Sequence, residues 1–201
     1  PPPLPPQRVR DIPMPPTKIE RTQRPGHLAW IDLEMTGLDS NRDVILQAAL
    51  IVTDAELRPL EEFVCDVWQP EAALAGMVPF VREMHEKTGL LGRVRASKTD
   101  LVAAERALLE RVAGWCPYQT VLCGNSIGTD KRFLDRWMPG LAAYLSYRVV
   151  DVSSLKVLAK LWYGDGAAYK KPEAGEHDAL VDIRNSIAEL AHYRATILRP
   201  A

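Results

Sequence analysis

The chain has 201 residues, 47% of them apolar and 25% charged, a composition that excludes a disordered, collagen-like or disulfide-scaffold protein and fits one folded domain. The formal net charge is -1, but residues 1–26 carry five basic and two acidic side chains, which leaves 20 basic and 24 acidic ones in the rest. A body of net charge -4 lacks the broad positive field of a protein that tracks long duplexes, so a nucleic-acid ligand would be short or gripped locally.

Nine of the 16 prolines fall within residues 1–25. Proline lacks a backbone donor and fixes φ, so residues 1–26 read as a disordered or extended arm. The segment has no continuous apolar core like a secretory signal, and is too rich in proline for an amphipathic transit helix. It begins at proline rather than methionine, which fits a processed or trimmed start. The folded domain is expected over residues 27–201.

Residues 27–34 alternate as a strand, with Leu28, Trp30, Asp32 and Glu34 on one face and Ala29, Ile31 and Leu33 on the other. Thr36 and Gly37 then turn the chain. The apolar run 44–53 predicts a buried strand, and 60–68, bounded by Pro59 and Pro70, a third; their short links predict an antiparallel meander. Ser97 or Thr99 can cap a helix running to about Trp115, with Leu101, Ala104, Leu108, Leu109 and Val112 on one face. A strand over 120–125 follows. A helix over 130–138 is expected to stop before Pro139-Gly140. Residues 147–151 form a short β-branched strand, 153–162 a helix, 163–176 a loop rich in glycine and lysine, and 179–197 the last helix. Strands first, then strands alternating with helices, predict an α/β fold: a mixed sheet flanked by helices.

The longest uncharged run, 112–129, is broken by Pro117, Gln119, Asn125 and glycines, so no membrane span is expected. Cys65, Cys116 and Cys123 are an odd number without C-x-x-C spacing, which fits reduced thiols in a cytoplasmic enzyme rather than a disulfide framework or a zinc site.

Three features carry chemistry. Asp32-Leu33-Glu34 closes the first strand with both carboxylates on one face. Their mutual repulsion is relieved by a divalent cation with a taste for oxygen ligands; the same pattern also occurs on solvated sheet faces. Asp130 follows the loop Gly124-Asn125-Ser126-Ile127-Gly128-Thr129, where small residues let backbone approach a ligand, although an acid at a helix start is also stabilised by the helix dipole. His177 stands five residues before Asp182. The two diverge by about 140° within a regular helix, so they reach one site only if His177 lies in the loop before it; a histidine there can equally be an ordinary surface residue. No G-x-S-x-G elbow points to serine nucleophilic hydrolysis.

Taken together, D-x-E, a loop aspartate about a hundred residues on and H-x4-D resemble the DEDDh group of 3′-to-5′ exonucleases, and within it the oligoribonuclease family. The resemblance runs from about Leu28 to Leu198. It rests on W-I-D-L-E-M-T-G-L at 30–38, C-G-N-S-I-G at 123–128 with Asp130, R-F-L at 132–134, Y-R at 147–148, D-V-S at 151–153 and H-x-A-L-x-D-I-R at 177–184. It implies a single ribonuclease H-like domain, with Asp32, Glu34, Asp130 and Asp182 holding two divalent metal ions, Mg2+ or Mn2+, and His177 as general base. The implied activity is 3′-to-5′ hydrolysis of short oligoribonucleotides, dinucleotides above all, to nucleoside 5′-monophosphates. Phosphodiester hydrolysis fits that set: two cations roughly 3.5–4 Å apart activate water and steady the leaving oxygen, and an imidazole of pKa about 6.5 accepts a proton at neutral pH.

By the same resemblance Ser126, Arg148 and Ser153 bind the 5′ phosphate with His85 nearby, and Tyr147 reaches in from the other subunit of a homodimer. Leu38 wedges between bases. Phe80 stands where the family usually has a tryptophan, and still offers a face for stacking. From the residues alone, Phe80 and Tyr147 also fit a core, and Arg148 a surface pair. Gln47 replaces a glutamate common in the family's second strand. The rivals are a proofreading or trimming exonuclease on longer DNA or RNA, which would use the same acids and histidine, and a catalytically silent nucleic-acid-binding protein.

Overall fold

The alternation read in residues 27–34 is realised as the central strand of a five-stranded mixed sheet. In this computed structural model, residues 24–172 and 178–198 are described. The proposed arm (residues 1–23 of it) and His177 therefore lie outside the described residues. Strands β1 (Leu28–Met35), β2 (Ile45–Thr53) and β3 (Pro59–Asp66) form the expected antiparallel meander. Strand β4 (Thr120–Gly124) pairs parallel with β1 on its other side, and β5 (Leu145–Asp151) parallel with β4. The order is β3-β2-β1-β4-β5. All of β2 is buried, as a run apolar but for Gln47 and the terminal Thr53 requires.

Helices cover both faces. Ala29, Ile31 and Leu33 of β1 share a core with Leu108 and Val112 of helix α4 (Leu101–Trp115), Phe133 and Leu134 of α5 (Gly128–Trp137) and Leu141 of α6 (Pro139–Tyr144). Trp30 of β1 packs on the opposite face with Val152 and Ala159 of α7 (Val152–Tyr163) and Ile183 of α8 (Ala179–Thr196). The two-residue period therefore sends Asp32 and Glu34 to the face that carries α7 and α8.

The structure differs from expectation in several places. Residues 71–96 hold three short helices, α1 (Glu71–Ala75), α2 (Pro79–Lys87) and α3 (Leu90–Ala96), which pack on Leu46 through a small core of their own. Helix α5 starts two residues early, which puts Asp130 in its first turn. Helix α5 stops before Pro139-Gly140 as expected, but a further helix, α6, which was not expected, begins with Pro139 at its first position, where a missing N–H costs nothing. Asp100, not Ser97 or Thr99, caps α4 by accepting the Ala103 N–H at 2.8 Å. Among the described residues no helix is long and apolar enough to cross a membrane.

Candidate active site

Strand order reverses at β1, the point where the crevice of an open α/β sheet falls beyond the carboxyl ends of its parallel strands. Those ends deliver Asp32 and Glu34 from β1, Asn125 and Ser126 after β4, and Asp151 from β5. Helix α8 brings Asp182 in its first turn. Asp178 caps α8, accepting from Leu180 N–H at 3.1 Å and Val181 N–H at 3.3 Å.

One ligand oxygen each of Asp32, Glu34 and Asp182 lies within 4.8 Å of the others. Asp130 adjoins this group rather than completing it: its Oδ1 accepts the Leu33 N–H at 3.0 Å, between the two β1 acids. Burial, followed by the charges of Asp130, Glu34 and Asp182, raises the Asp32 carboxyl well above its ordinary range, while Lys171 opposes the shift. Burial, then Asp182, Asp130 and Asp178, push Glu34 up to about 8. Asp130 is raised to about 7 by burial, with Asp151 adding to the rise and the Leu33 N–H working against it. Burial leads each shift, and neighbouring carboxylates add to it.

A hard divalent cation fits this cluster on the chemistry of its donors, which are all carboxylate oxygens with no thiol or imidazole among them. A cation already stands there: the Lys171 ammonium lies 2.6 Å from Asp182 Oδ1. Lys171 was not singled out from the sequence, although its loop had been marked as rich in glycine and lysine. The thiols offer no alternative nucleophile, since burial pushes Cys65 and Cys116 up to about 11 and Cys123 higher still.

The other expected residues divide. Ser126 and Ser153 come together on one carboxylate, that of Asp151. Tyr147 is 77% exposed on β5, outside the core, with the Arg148 guanidinium 4.6 Å over its ring. Leu38 and Phe80 are both 74% exposed. The turn bearing Leu38 is fastened by Asp43, which accepts from Asp39 N–H at 2.9 Å and Thr36 Oγ1 at 3.3 Å; a Cβ on Gly37 would collide with that carboxylate. His85 was expected at the substrate, but its ring is fully buried, with Nε2 2.9 Å from the Met35 carbonyl and Nδ1 3.9 Å from Glu34.

Two buried polar groups brace the site: Gln47, the departure from the family pattern, and Glu189, which the sequence did not single out. Gln47 stands opposite Glu34 in the β1–β2 register. It donates to Asp66 at 2.6 Å and accepts the Ala179 N–H at 3.4 Å, so it ties the start of α8 to the sheet without adding a fifth charge. Glu189 accepts from Asn125 Nδ2 at 3.0 Å and Tyr193 Oη at 2.8 Å. Ser186 Oγ, which also receives Asn125, donates to the Asp182 carbonyl at 2.9 Å. These bonds join the loop after β4 to the helix that carries Asp182.

A family model for exonucleases (RNase T type) matches residues 29–190. The oligoribonuclease of Azoarcus sp. (strain BH72) is 46% identical over 89% of this chain and 99% of its own. That of Pseudomonas aeruginosa (strain PAO1) is 49% identical over 86% and 96%. Among solved structures, exonuclease I of Methylocaldum szegediense superposes with a TM-score of 0.62 at 21% identity over 85% of this chain. E. coli exonuclease I, solved with a 5cy-dT13 oligonucleotide, superposes with a TM-score of 0.68 at 16% identity over 87%. The chain spans about two fifths of those two structures, 41% and 42%, and the likeness to them is one of fold.

Proposed function

The chain belongs to the exonuclease family, in its oligoribonuclease branch, as a metal-dependent 3′-to-5′ exoribonuclease, and we propose that it acts foremost on dinucleotides, by a two-metal mechanism with His177 as general base. The observation that carries this reading is the convergence of Asp32, Glu34 and Asp182 within 4.8 Å at the carboxyl end of β1, on the same sheet edge as Ser126 and Ser153.

Asp32, Glu34, Asp130 and Asp182 would hold two divalent cations, Mg2+ or Mn2+. When bound, such ions lower the pKa of water and offset charge on phosphoryl oxygens. His177 would accept the proton of the attacking water, and the bond from phosphorus to the 3′ oxygen of the preceding nucleotide breaks, releasing a nucleoside 5′-monophosphate. Leu38 and Phe80 offer exposed apolar surface to the bases. Ser126, Ser153 and the exposed Arg148 would take the 5′ phosphate, the guanidinium by a forked pair of hydrogen bonds. His85, its ring buried beside Glu34, would act on the substrate through that carboxylate rather than by touching it.

A homodimer with Tyr147 reaching across fits the outer face of β5 and α7. β5 is an edge strand with Tyr147 exposed on it, and Val157 and Leu161 of α7 are exposed too. Residues 27–201 would form the exonuclease domain and residues 1–26 its arm. A cytoplasmic location fits the three free cysteines.

Substrate length tests the reading. A site closed at the 5′ phosphate gives a kcat/KM on a two-mer about a hundredfold above that on a twenty-mer of RNA, the worth of one or two charge-assisted hydrogen bonds. Equal rates on the two would assign the chain to trimming of longer strands instead.

A further inference from the structure

One carboxylate oxygen gathers the two serines proposed to read the 5′ phosphate. Asp151 Oδ1 accepts the Ser126 N–H at 3.0 Å, the Ser153 N–H at 3.0 Å and the Ser153 hydroxyl at 2.6 Å. The Ser153 bond alone would make Asp151 an ordinary cap for α7. The bond to Ser126 is of another kind, since it crosses 25 residues to a different loop and reaches a residue at φ 52°. That left-handed backbone is unfavourable for serine and persists only where its surroundings hold it. Asp151 holds it through its N–H, and Asn125, one residue earlier, is held by Glu189 and Ser186.

We infer that Asp151 is a positioning residue that sets the spacing of Ser126 and Ser153 and thereby makes the enzyme select substrates by their 5′ phosphate. The inference rests on the proposed 5′-phosphate reading of those two serines. A carboxylate is not itself a ligand for a phosphate, so the role lies in the place of its acceptor oxygen and not in its charge. Ser153 leaves this acceptor by rotation of its O–H when a phosphate oxygen arrives, while both backbone N–H bonds stay and keep the loop in register. Asp151 is only half-buried, so this exchange is open to the crevice.

The test compares kcat/KM on a dinucleotide carrying a 5′ phosphate with that on the same dinucleotide ending in a 5′ hydroxyl. Wild type prefers the phosphate. Asp151→Ala cuts that preference by roughly tenfold, the loss of about one well-aligned charge-assisted bond, the rate falling further on the 5′-phosphate substrate than on the 5′-hydroxyl one. Asp151→Asn, which keeps an acceptor oxygen in place and removes the charge, retains most of the preference. Asp151→Glu, which keeps the charge and moves the oxygen outward, loses it. The asparagine and glutamate pair decides the matter even where the alanine variant folds poorly. A fall in rate equal for both substrates would reduce Asp151 to a structural cap, and a preference lost in Asp151→Asn but kept in Asp151→Glu would overturn the positional account. A wild type indifferent to the 5′ phosphate would instead overturn the underlying reading of Ser126 and Ser153.

Discussion

Asp32→Ala is expected to lower kcat on a dinucleotide by at least about a thousandfold, or some 4 kcal/mol of transition-state stabilisation, while the protein stays folded. Asp32 is the acid whose charge faces Asp130, Glu34 and Asp182 at once. Stability should move the other way from activity. The acids of the cluster have folded-state pKa values raised above those of free carboxylates, to about 8 for Glu34 and about 7 for Asp130. Groups raised in this way favour the folded state fully below their unfolded pKa values, and that contribution is lost as pH rises through about 7 to 8. Metal-free wild type should therefore lose Tm on going from pH 5 to pH 9, and Asp32→Ala, with one repelling charge fewer, should lose less. Thermal melts with chelator at the two pH values, beside steady-state rates with Mg2+, measure both halves. Full activity of the variant, or its failure to fold, contradicts this account.

His177→Ala is expected to lower kcat by about a hundredfold to ten-thousandfold and to leave KM within a few-fold, the signature of a lost general base. Helix α8 begins at Ala179 and Asp178 is its cap, so His177 precedes the helix in the chain, as the H-x4-D spacing requires if it and Asp182 are to serve one site. A variant with weakened affinity and an unchanged turnover rate would assign His177 to binding.

Much of the fold was legible because its two periods are distinct. The alternation in β1 put Trp30, Asp32 and Glu34 on one face, and that is the face α7 and α8 cover. The largely apolar run of β2 predicts a strand buried on both sides, and it is one. Less could be read where elements are short: α1, α2 and α3 have five, nine and seven residues, too few turns for a periodic stripe to stand out. Pro139-Gly140 ends α5 as its residues predict, but the six-residue α6 that Pro139 opens is too short for a stripe to announce it.

The acids of the site were legible as types of residue at particular places, and the structure joins Asp32, Glu34 and Asp182 with Asp130 beside them. What holds them was not. Gln47, Lys171 and Glu189 act through partners 132, 11 and 64 residues away, and no local pattern announces such bonds. Asp151 lay within a motif that was read, but its tie to Ser126 depends on β4 and β5 ending side by side. His85 shows the converse: a residue matched by position has its ring buried beside Glu34, because α2 packs that ring under the end of β1.

Anomalous diffraction at the manganese edge, from crystals grown with Mn2+ and a dinucleotide whose phosphodiester cannot be cleaved, probes the central claim. Two peaks roughly 3.5–4 Å apart among Asp32, Glu34, Asp130 and Asp182, with the bridging phosphate between them, are the expected result. A crevice that binds the dinucleotide with no manganese at those carboxylates would contradict it.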